Sequence, residues 1–162
     1  MCIRDRNKGY TSMRLFHVSE QSDIDQFEPR MHYELEREVV WAVDDDHLPN
    51  YLLPRDCPRV CVINRKLNTY QIDVPKSYKE EVLKKKIYIY EMPIEQFEEI
   101  DSNAGYYIST DVVKPLSVNT VPDCVRAQRA FDVKLVFNEA FRERAEKVAK
   151  SKGEWSIIRY RI

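Results

Sequence analysis

The sequence predicts an α+β fold: a mixed, mostly antiparallel sheet, single or split, flanked by helices in one domain over residues 13–162. Three observations carry this. Apolar runs of strand length mix with helical segments without a strict βαβ period, which argues against a doubly wound parallel sheet. At 162 residues the chain has the size of one ordinary domain, and folding at that length buries roughly 70% of the unfolded surface, enough for a core without disulfides or metal. With 43% apolar and 33% charged residues, the composition is that of a globular protein.

Taken in order, residues 1–12 (MCIRDRNKGYTS) are polar and lack periodicity. They read as a tail, disordered or foreign to the native chain, with Met13 as the natural start. A first strand follows over 13–18, where Phe16 and Val18 bracket His17. Ser19 then caps a short helical turn over 19–27, since Ser and Asp oxygens accept from the N–H groups of a first turn. Pro29 ends it, and 31–38 is charged and reads as a loop. Residues 39–43 (VVWAV) are apolar without alternation, the mark of a strand buried on both faces. Asp44, Asp45 and Asp46 cap a short Pro-bounded helical turn, because negative charge is favoured at a helix start.

A third strand spans 60–63, and 64–75 reads as a hairpin or surface excursion with Leu67 among polar residues. A short helix over 77–85 precedes 86–92 (KIYIYEM), whose period of two marks a strand. Pro93 starts a helix over 93–100. Strands over 106–110 and 114–121 follow, then a helix over 125–130 capped by Asp123. A strand over 134–137, an amphipathic helix over 139–150 and a closing strand over 155–162 complete the chain. In that last helix Ala140, Phe141, Ala145, Val148 and Ala149 face the core.

Several function classes are disfavoured. The 26 basic and 27 acidic residues leave no positive excess for a groove that holds nucleic acid by its phosphates. No apolar run approaches the roughly 20 residues that span a bilayer, and no signal peptide is visible, so the expected location is cytoplasmic. Neither GxGxxG nor GxxxxGK[ST] occurs, and only three glycines are present, so Rossmann and P-loop nucleotide sites lack support. Four irregularly spaced cysteines read as reduced thiols rather than disulfides or zinc ligands, and no metal is expected. Asp44 to His47 admits one metal reading, a divalent-metal hydrolase, but three adjacent carboxylates cannot all point the same way, and capping is the plainer role. Arg55 and Arg59 flank a Cys-Pro corner and bond either loop carbonyls and Asp56 or an anionic ligand.

Four strings carry a resemblance: LFHVSE at 15–20, FEPR at 27–30, VVWAVDDDHLPNYLLPRDCPRV at 39–60 and YYISTDVVKPLSV at 106–118. Together they resemble a bacterial family of domains of unknown function. A more distant resemblance is to the ADP-ribosyltransferase-like fold, through Phe16-His17-Val18-Ser19 on the first strand and the 39–51 element after it. That resemblance implies NAD as cofactor, with His17 on the adenosine ribose and a cleft between the His17 strand and the 41–59 crossing. In such a cleft Ser19 and Trp41 would lie beside the nucleotide, Tyr51, as an aromatic ring, would stack on a planar ring, and the forked donors of Arg55 would meet a phosphate. The resemblance also implies a Glu just before a later strand, where this chain has Tyr106, so His17 and Tyr106 are the candidate catalytic residues and the chemistry is altered or lost. The reaction implied is glycosyl or ADP-ribosyl transfer. The alternative from another class is a non-catalytic module that binds a ligand or a protein.

Overall fold

The computed structural model describes residues 13–161, so the expectation for residues 1–12 lies outside the described residues. In chain order the described elements are β1 (Leu15–Ser19), β2 (Arg30–His32), β3 (Arg37–Asp44), β4 (Arg59–Asn64), β5 (Thr69–Pro75), α1 (Lys79–Lys84) and β6 (Ile87–Met92). After these come β7 (Glu98–Asp101), β8 (Tyr106–Ser109), β9 (Ser117–Val121), α2 (Cys124–Ala130), β10 (Lys134–Asn138), α3 (Phe141–Ala149) and β11 (Glu154–Ile158). The fold is mixed α/β, as expected, and its described strands form two sheets. Its contacts divide the described residues into two compact units, one of 13–48 with 87–120 and the other of 49–86 with 121–161. Among the described residues no helix is long and apolar enough to cross a membrane.

The first unit holds a seven-stranded sheet in the order β7-β8-β3-β1-β6-β9, with β2 also on β3. The pairings of β3 with β1, β2 and β8, and of β1 with β6, are all antiparallel. Alternation sends Leu15, Ala42, Tyr90 and Met92 to one face, where they form a core with Val40, Tyr107, Phe27 and Val113. Buried Val39, Val40, Ala42 and Val43 show that β3 uses both of its faces, which is why its sequence does not alternate.

Three expectations fail here. Residues 19–27 are not helical: Ser19 Oγ accepts from Gln21 N at 3.1 Å, Tyr90 serves the backbone of Gln21 and Ile24, and Phe27 bridges to Val113. A tertiary hydroxyl thus takes the backbone groups that a helix would have paired. The charged 31–38 segment is a hairpin in which β2 pairs with the start of β3, tolerable because its side chains are largely exposed. Residues 93–100 make one 3-10 turn and then β7, because β8 offers a ladder partner that outweighs local helix preference.

The second unit holds the sheet β10-β5-β4-β11, in which β10 runs parallel to β5 and the other pairs are antiparallel. The 64–75 stretch proves to be a hairpin, with Asn64 Oδ1 accepting from Leu67 N at 3.0 Å inside the turn. Phe141, Ala145 and Val148 of α3 bury against Val60, Val62, Trp155 and Ile157, whereas Ala140 stays exposed outside the helix. Asp123 caps α2 as expected, accepting from Arg126 N at 3.1 Å.

Candidate functional site

β1 pairs with β6 along its whole length but with β3 only at Leu15↔Asp44 and Phe16↔Val43. Past Phe16 the two strands part, and a side chain enters the fork. His17 Nδ1 donates to the backbone oxygen of Trp41 at 2.9 Å, since a carbonyl can only accept. In the neutral ring that bond makes Nε2 the acceptor nitrogen. The ring is half-buried, with its centroid 4.6 Å from that of Phe27. Ser19 ends the same strand, two residues on and therefore on the His17 face.

Trp41 and Tyr106 occupy the opposite face. Their rings meet edge to face at 5.2 Å, and His32 adds a second edge contact to Trp41 at 4.8 Å. The unit therefore brings Trp41 to Tyr106 by side chain, and the Trp41 backbone oxygen to the His17 ring. On the His17 face the residue of β8 is Tyr107, whose hydroxyl donates to Glu99 Oε2 on β7 at 3.0 Å. Burial, and after it the hydrogen bond and charge of Glu99, push the Tyr107 phenol up to about 12. Tyr107 and Tyr90 were not among the sequence candidates. The alternation of YYIS and KIYIYEM shows which neighbours share a face, but not which face carries His17.

At the end of β3, Asp44 Oδ1 accepts both from His47 N and from His47 Nδ1, each at 2.8 Å. The acidic triplet thus forms a turn, as expected, but one that leads into a single 3-10 turn, Leu48–Tyr51, with the His47 ring held by the same oxygen. Gly105 closes over this pair at φ +68, and a Cβ there would meet Asp44 Oδ1 and His47 Nδ1 at 2.5 Å. Only glycine fits.

Tyr51 and Arg55 belong to the other unit, in the buried loop before β4. Arg59, 2% exposed, organises that loop. Its Nε donates to Cys57 O at 2.8 Å, Nη1 to Asn50 O at 2.9 Å, and Nη2 to Pro54 O at 2.6 Å and Arg55 O at 3.2 Å. Gln128 Nε2 donates to Pro49 O and Leu52 O, and the Tyr70 hydroxyl donates to Asn50 Oδ1. Of the two roles open to Arg59, the carbonyl-bonding one holds, and burial pulls its pKa down. The Arg55 side chain is exposed, and half-buried Tyr51 ends the 3-10 turn. Cys57 and Cys61 are free and buried, with burial pushing their thiols up to about 11 and about 12, so both are protonated at neutral pH.

The sequence matches a family model described as "Family of unknown function (DUF6886)" over residues 16–162. The chain belongs to that family. No curated protein and no solved structure matches it. Membership in DUF6886 covers both units, the β1 fork and the Arg59 loop alike.

Proposed function

We propose that this domain binds a nucleotide of the NAD or ADP-ribose class at the fork between β1 and β3, with transferase chemistry altered or lost. The observation that carries the reading is the fork itself. A half-buried His stands where two strands part, and its Nδ1 is bonded to a backbone carbonyl, so the ring is held in one orientation, from which it would contact a ribose hydroxyl. Ser19, on the same face, supplies a second hydroxyl contact. The likeness of the FHVS strand to the ADP-ribosyltransferase-like fold supports the same assignment, because there the first-strand His holds the ribose.

Tyr106 favours binding over turnover. The resemblance expects a carboxylate at its position, whereas the Tyr106 phenol packs edge-on to Trp41 on the face of the sheet opposite His17, so it offers no charge to an oxocarbenium-like centre beside His17. Calorimetry of the full chain with NAD and with ADP-ribose tests the proposal. Saturable binding by the wild type, lost in His17→Ala, is the expected result. No heat from the wild type with either nucleotide overturns it.

A further inference from the structure

We infer that Phe27 gates this fork, an inference that rests on the nucleotide reading above. The segment from Ser19 to Phe27 crosses the His17 face of the sheet as a strap. Of residues 20–26 only Ile24 is even half-buried, so Phe27, 8% exposed, is the strap's one deep anchor. Its ring lies 4.6 Å from the His17 ring and edge-on to Tyr90 at 5.2 Å. Rings at that separation are already in contact, so no ribose or base can pass between Phe27 and His17 while the strap is down.

The strap is tied to the sheet through Phe27 and through Tyr90. Phe27 and Val113 exchange two backbone hydrogen bonds, Phe27 N to Val113 O at 2.7 Å and Val113 N to Phe27 O at 3.0 Å, as one isolated bridge with no continuing ladder. The Tyr90 hydroxyl donates to Gln21 O and accepts from Ile24 N at 3.3 Å. A segment with one deep apolar anchor at Phe27, a half-buried one at Ile24 and otherwise exposed side chains belongs to the part of a protein that opens by itself, well below global unfolding. Ligand access is then limited by the fraction of molecules with the strap raised, which divides directly into the apparent affinity.

Tyr90→Phe separates a gate from a simple core contact. It removes both hydroxyl tethers, keeps the ring that packs on Phe27, and leaves the His17 side chain itself unaltered although the two residues are cross-strand partners. The expected result is about tenfold faster association and tighter binding of NAD and ADP-ribose, with amide exchange at Ile24 and Phe27 accelerated by a similar factor. Phe27→Ala, checked for native circular dichroism, shifts affinity in the same direction. If both variants bind with wild-type rates, or if Phe27→Ala weakens binding, the gate is overturned and the nucleotide site stands. If strap amides exchange faster in Tyr90→Phe while neither variant nor the wild type binds either nucleotide, the nucleotide reading has failed, and with it the role of the strap as a gate.

Discussion

Arg59 donates from Nη1 to the backbone oxygen of Asn50, nine residues earlier in the chain, and so ties the two ends of the loop before β4 together. A loop that turns inward must pair its own carbonyls. Four of them end on this one guanidinium. Arg59→Met keeps the apolar stem but removes this donor from all four oxygens, of which Pro54 O still accepts from Cys57 N, and is expected to cost about 3 kcal/mol or more in urea unfolding. Arg59→Lys, with three donors on a point charge instead of a planar fork, should recover only part of the loss. A change within about 0.5 kcal/mol for Arg59→Met would show that the loop does not depend on this side chain.

Gly105→Ala tests the closure over Asp44 and His47. The new methyl meets two side-chain atoms at 2.5 Å and the backbone holds φ +68, so clash and strain act together. A loss of about 2–4 kcal/mol in thermal or urea unfolding is expected, accompanied by release of the His47 ring from Asp44, visible as a change in its imidazole NMR signals. A smaller cost with unchanged His47 signals would mean that the turn yields easily.

Tyr107 supplies a pH dependence of definite sign. Its phenol is raised from 10.0 to about 12, so between those values the folded protein keeps a proton that the unfolded chain releases. The stabilisation is complete below 10.0 and is lost as pH rises toward about 12. Cys57 and Cys61, raised to about 11 and about 12, act in the same direction, so the test is a comparison. Urea unfolding at pH ~9 and pH ~11 should show a steeper fall for the wild type than for Tyr107→Phe. Equal slopes would place the phenol in a solvated setting.

The same logic shows how much of the site could be read in advance. His17, Trp41 and Tyr106 were visible through the resemblance of FHVS, VVWA and the strand at 106–110 to the ADP-ribosyltransferase-like fold, with Tyr106 at the position where that resemblance expects a Glu. Their division between two faces was not visible: alternation along one strand gives relative sidedness, and only the β3–β8 register makes Trp41 and Tyr106 neighbours while turning Tyr107 to the His17 face. Phe27 escaped notice because its spacing from Ile24 suits a helix as well as a strap, and the residue that decides between them, Tyr90, is 66 positions away from Ile24.

By itself the sequence determined what depends on near neighbours: the strand character of VVWAV and KIYIYEM, the Asp123 cap, the amphipathic face of α3 and the reduced state expected of Cys57 and Cys61. Only the tertiary structure decided that β1 and β3 part after Phe16, that β7 is a strand, and that Arg59 turns inward to four carbonyls. The reason is physical. Propensity, capping and periodicity act over a turn or a strand, whereas strand register and the pairing of a buried guanidinium are chosen by residues far apart in sequence, whose contacts form only when the sheet is assembled.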